Sequence, residues 1–210
     1  MKNEQLAITQ YCTIRKQGIN ASTGFSFSNT GNSLQDFLLH AYEAMQMNYP
    51  RFYKADRLSQ LGLLAAEAVL RDFDPGQYKP ESVAMVLSNA SASLDTDIRY
   101  NDSTKSIPSP ALFVYTLPNI VAGEICIRHG IKGENAFFIT REFDANLMCD
   151  YVEMVLSVPG TEVCLAGWVE VLEEHFDVFL YLVERKATGI QVLHTGNELT
   201  RLYSMDVWNS

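Results

Sequence analysis

The segment Thr140-Arg141-Glu142-Phe143-Asp144 joins an apolar run, Ala136-Phe137-Phe138-Ile139, to a helical pattern that starts at Ala145. A carboxylate at such a strand-to-helix turn is placed to hold a cation or to act as a general base. Glu142 therefore has two readings. It is either a functional carboxylate facing a pocket, or one paired with Arg141 beside a helix N-terminus, where the dipole favours negative charge. Asp144 fits simple helix capping. The four cysteines, Cys12, Cys126, Cys149 and Cys164, stand singly among apolar neighbours with no C-x-x-C pair. They read as buried free thiols, and no metal site is expected. No spacing unites His40, His129, His175 and His194, which read as structural or solvated side chains. Arg51, Lys54 and Arg57 crowd ahead of a long apolar-striped helix, either as a docking patch for an acidic partner or as solvated helix-start charges.

The elements that must position these groups follow from periodicity. Residues 6–14 alternate as a strand, and residues 18–32, rich in Gly, Ser, Thr and Asn, read as loop. Ser33 is placed to cap a helix carrying Phe37, Leu38, Ala41, Tyr42 and Met45, and Asp56 to cap a second carrying Leu58, Leu61, Leu64, Ala65, Ala68 and Val69. Residues 82–88 form a short apolar run with turn residues on both sides, as a strand covered on both faces requires. Residues 89–110 read as a surface excursion. Beyond them the pattern predicts a helix from Pro118 to His129 stopped by Gly130, a strand over 136–140 and a helix from Asp144 to Val158. Strands over 163–171 and 176–183 follow, joined at Glu173-Glu174, then a last hairpin pairing 190–194 with 199–203 around Gly196-Asn197.

A chain of 210 residues with 47% hydrophobic and 20% charged residues sustains one substantial core, so residues 1–210 read as a single domain. The formal net charge of −9 argues against nucleic acid or an anionic membrane as partner, since both require a basic face. No apolar run reaches the length of a membrane span and the first residues are polar, so a cytoplasmic location is expected.

The stretch from Gly133 to Asn146, the helix after it and Leu165-Ala166-Gly167-Trp168 together resemble the central segment of β-ketoacyl synthases, members of the thiolase-like superfamily. In that family the run ends in T-A-C-S-S, whose cysteine is the nucleophile. Counting back from Ala166-Gly167 without a gap puts the cysteine position at Glu142. Arg51 to Leu61 resembles the family's basic and aromatic lead into its long helix, and Ser109 to Asn119 with Ala122-Gly123-Glu124 resembles its pocket and interface segment. The likeness covers roughly residues 51–186.

The resemblance implies the N-terminal half of a thiolase-like fold: a layered α/β domain with a mixed, largely parallel sheet of about five strands flanked by helices. It implies pocket positions at Phe113, Asn119, Glu142 and Phe143. It also implies pairing of the Phe137-Phe138-Ile139 strand with its twin in a dimer, and carrier-protein docking through Arg51, Lys54 and Arg57. No cofactor is implied. The family's second half, which supplies two histidines and a glycine-rich loop, has no counterpart in the sequence, and a glutamate cannot take over an acyl group as a thiolate does. The expected function is a non-catalytic partner subunit, as in chain-length-determining relatives that also lack the cysteine. It would form a homodimer, or a heterodimer with a condensing enzyme, and meet an acyl carrier protein. The alternatives are a reduced enzyme, a malonyl decarboxylase or thioesterase using Glu142, and an acyl-binding or scaffolding module.

Overall fold

The fold is that of a computed structural model, and it describes residues 6–31, 33–185 and 192–205. Its strands are β1 (Ala7–Arg15), β2 (Gly18–Ala21), β3 (Ser26–Ser28), β4 (Val83–Asn89), β5 (Asn135–Ile139), β6 (Val163–Leu172), β7 (His175–Glu184) and β8 (Val192–Leu193). Its helices are α1 (Leu34–Ala44), α2 (Arg57–Val69), α3 (Leu94–Ser103), α4 (Pro110–Val114), α5 (Ile120–His129), α6 (Ala145–Ser157) and α7 (Gly196–Ser204). The strands form one sheet in the order β3-β2-β1-β7-β6-β4-β5, with β8 paired to β1.

The expected layered α/β class holds, with two corrections to the sheet. Among the described residues it has eight strands rather than about five, and only β4 with β5 and β4 with β6 run parallel; the other pairings are antiparallel. The added strands lie in segments whose composition suggested loop. Gly18–Ala21 gains its ladder by folding back on β1 through the two-residue turn Lys16-Gln17, and Ile19 and Ala21 are buried there.

Both faces of the sheet are covered. In β4 every residue is buried; Met85 and Leu87 join the core under α1, α2 and α5, whereas Ala84 and Val86 join the core under α6 and α7. α2 lies inside the first helical layer with nearly every side chain buried. It approaches α5 so closely that a Cβ at Gly62 would sit 2.4 Å from Val121 Cγ2. Gly167, in β6, has φ +149, and a Cβ there would lie 2.0 Å from the Phe179 carbonyl oxygen on β7. Only glycine fits that crossing.

Caps match the sequence at three helices: the side chains of Ser33, Asp56 and Asp144 accept amides at the starts of α1, α2 and α6. Gly130 closes α5 in the left-handed region. Two readings change. Within residues 89–110, Leu94–Ser103 is the helix α3. Residues 199–203 are not a strand but part of α7, nucleated by Thr195, whose hydroxyl accepts the Glu198 amide in a T-x-x-E arrangement. Ile190 lies outside the described residues, and β8 is confined to Val192–Leu193.

Candidate functional site

β4, β5 and β6 run parallel, so their C-terminal ends open on one side, the side where α/β sheets place ligand sites. Glu142 stands there, past the end of β5, and its side chain is exposed. Its backbone carbonyl accepts the Thr140 hydroxyl at 2.9 Å. Among the described residues no basic group forms an ion pair with its carboxylate, so pairing with Arg141 is not observed. Asp144 carries the capping role, accepting the Asn146 and Leu147 amides at 3.1 and 3.0 Å. The next side chain, Phe143, turns the other way, into the core, against Tyr203, Phe179 and Trp168.

Two more positions expected to line a pocket lie at the surface. Phe113 is exposed on α4, its ring 5.4 Å from that of Tyr100, and Asn119 is exposed just before α5. Ile98 on α3 and Ile107, Val114 and Leu117 in and beside α4 are exposed apolar side chains as well. A cavity of about 450 Å³ opens instead near the start of β4, among Leu70, Phe73, Tyr78, Val83, His129 and Ile131, away from Glu142.

Backbone donors at the end of β4 are already used. The amides of Ala90 and Ser91 both donate to Glu170 on β6, at 2.7 and 3.1 Å, so the protein's own carboxylate fills that loop. Thiols are equally unsuited to attack. Burial raises the pKa of Cys12, Cys164 and Cys126, and that of Cys149 is pushed up to about 11 by burial and by Glu153. Each is a protonated, weakly nucleophilic thiol at neutral pH.

Phe137, Phe138 and Ile139 lie on β5, which is an edge of the sheet and not a central strand. Their unbroken apolar run arises because helices cover both faces: Phe137 packs on the α2 side, and Phe138 packs under α6 with Tyr151 at 4.7 Å. Ile139 is exposed, and among the described residues no strand pairs with the outer edge of β5.

The three basic residues separate by role. Arg57 is tied down, donating to the Glu173 carbonyl at 3.1 Å and lying 3.7 Å from the buried Asp95. Arg51 pairs at 2.9 Å with Glu124, a buried carboxylate that also accepts the hydroxyls of Tyr49 and Tyr115, both at 3.3 Å. Lys54 is exposed and makes no ion pair among the described residues.

One grouping had no signal in the linear spacing. Cys149 and Glu153 are one helical turn apart on α6, and His194 arrives from 45 residues further on, carried by the pairing of β8 with β1. Cys149 Sγ lies 3.8 Å from His194 Nδ1 and 3.6 Å from Glu153 Oε1, and His194 Nδ1 lies 3.9 Å from Glu153 Oε1. Burial lowers the pKa of His194 to about 4, so the imidazole is neutral and its approach to Glu153 is not an ion pair.

No protein-family model matches the sequence, and no curated protein matches it. Solved structures match the fold. The ishigamide ketosynthase/chain length factor superposes with a TM-score of 0.66 at 16% identity, over 90% of this chain and 64% of that one. A type II polyketide ketosynthase in complex with its acyl-carrier protein gives 0.61 at 17%, over 87% of this chain and 63% of that one. A ketosynthase in complex with its chain length factor from Xenorhabdus doucetiae gives 0.57 at 14%, over 87% and 80%. The chain thus spans 64% and 63% of the first two. These likenesses show the fold, which is that of the matched ketosynthase structures.

Proposed function

We propose that the chain is a non-catalytic, β-ketoacyl-synthase-like subunit that pairs with a condensing enzyme in fatty-acid-like or polyketide-like biosynthesis, in the cytoplasm. The carrying observation is Glu142: an exposed carboxylate at the turn where the sequence resemblance places the nucleophile. Condensation needs a thiolate to accept the acyl group and amide donors to stabilise the oxyanion. Every cysteine of the chain is held protonated, and the Ala90 and Ser91 amides are committed to Glu170.

Pairing is supported by the surface. The unpaired edge of β5 and the apolar side chains of Ile107, Phe113, Val114, Leu117 and Ile139 lie uncovered, and such surfaces mark protein contacts. Two of the matched structures are ketosynthase and chain length factor assemblies, and a third holds an acyl-carrier protein. Lys54, exposed and unpaired among the described residues, is the basic side chain best placed to meet an acidic carrier.

The test is an assay of carbon dioxide release and condensation on malonyl and acyl carrier protein. The chain alone is expected to show neither, whereas adding it to a condensing enzyme from the same cell changes that enzyme's rate or product length. Release by the chain alone that disappears in Glu142→Gln would overturn the proposal in favour of a reduced enzyme.

A further inference from the structure

We infer that Cys149, Glu153 and His194 form a binding site for a divalent transition metal of the zinc type. Their three ligand atoms, Sγ, Oε1 and Nδ1, are mutually separated by 3.6 to 3.9 Å. Around a tetrahedral zinc, with sulfur at about 2.3 Å and nitrogen or oxygen at about 2.0 to 2.1 Å, such atoms stand roughly 3.4 to 3.6 Å apart. A contraction of a few tenths of an ångström brings all three onto one ion. A thiolate, an imidazole and a carboxylate are a donor set suited to zinc and its neighbours, and unsuited to magnesium or calcium.

The His194 side chain is fully buried with Nδ1 facing the Cys149 sulfur and the Glu153 carboxylate, and among the described residues its Nε2 has no hydrogen-bond partner. Binding replaces the thiol proton with the metal, and the proton leaves to solvent. Entry is from the Glu153 side, whose side chain is 53% exposed, and this is where water would complete the coordination. The site is independent of the proposed function. It would clip β8 and the start of α7 to α6, and so hold the helix whose Tyr203 packs on Phe143.

Metal-stripped protein titrated with cobalt(II) is expected to develop a near-ultraviolet sulfur-to-cobalt charge-transfer band at one ion per chain. Zinc should displace the cobalt and raise the melting temperature. Cys149→Ser and His194→Gln are expected to abolish the band. Glu153→Gln, at a half-exposed position that leaves the fold intact, should weaken binding at least about tenfold, whereas Cys126→Ser leaves it unchanged. Absence of the band in the native protein, its persistence in Cys149→Ser, or undiminished affinity in Glu153→Gln would overturn the assignment.

Discussion

The ring of Phe143 packs against that of Tyr203, tilted by 36° with centroids 4.6 Å apart, so the residue next to Glu142 is gripped by α7. One backbone turn thus sends a carboxylate into solvent and an aromatic ring into the core. Truncating Phe143 to alanine removes contacts with Trp168 and Phe179 as well and is expected to cost about 2 to 4 kcal/mol. Glu142→Gln, at an exposed site, should stay within about 0.5 kcal/mol of the parent. Urea unfolding of the two variants measures the contrast.

Gly167 and Gly123 should respond in opposite directions to the same methyl group. At Gly167 alanine meets both a positive φ and the Phe179 carbonyl, so Gly167→Ala is expected to lose more than about 3 kcal/mol or fail to fold. At Gly123 nothing lies within 4 Å of an added Cβ, and Gly123→Ala in the exposed face of α5 should gain about 0.5 to 1 kcal/mol. Melting temperatures of the pair separate a required glycine from a tolerated one.

His129 supplies a pH dependence. Burial, the main cause, lowers its pKa from 6.5 to about 4, with Glu67 opposing and Arg128 assisting. A pKa lower in the folded than in the unfolded chain means the unfolded state binds the proton first. The associated stability is therefore present in full above pH 6.5 and lost as pH falls towards 4, roughly 3 kcal/mol in all. Chemical denaturation from pH 7 to 4 should show this slope, diminished in His129→Gln.

Arg57 and Lys54 should part company. Arg57→Ala leaves the buried Asp95 without its cation and is expected to cost about 1 to 3 kcal/mol, because an unpaired buried charge is penalised. Lys54→Glu should leave stability within about 0.5 kcal/mol and reverse one surface charge. If an acidic carrier docks here, binding measured by calorimetry falls in Lys54→Glu while the melting temperature does not.

The main strands and the capped helices were legible in the sequence because local chemistry decides them: the side chains of Ser33, Asp56 and Asp144 cap helices as their spacing implied, and the β6–β7 turn falls at Glu173-Glu174. What escaped was non-local. Gly18–Ala21 becomes a strand only by pairing with β1 on one side and β3 on the other. After Thr195, Gly196-Asn197 suggests a turn in the sequence, whereas Thr195 and Glu198 form a helix start in the structure. The Cys149, Glu153 and His194 grouping depends on the pairing of β8 with β1 and leaves no mark in spacing.

Pairing with a condensing enzyme is tested most directly by native mass spectrometry of the chain co-expressed with the cysteine-bearing synthase of its own cell. A one-to-one complex is expected, weakened when a charge is placed on the bare edge and apolar face, as in Ile139→Asp combined with Phe113→Asp. Species containing this chain alone, with no synthase bound and no change in those variants, would contradict it.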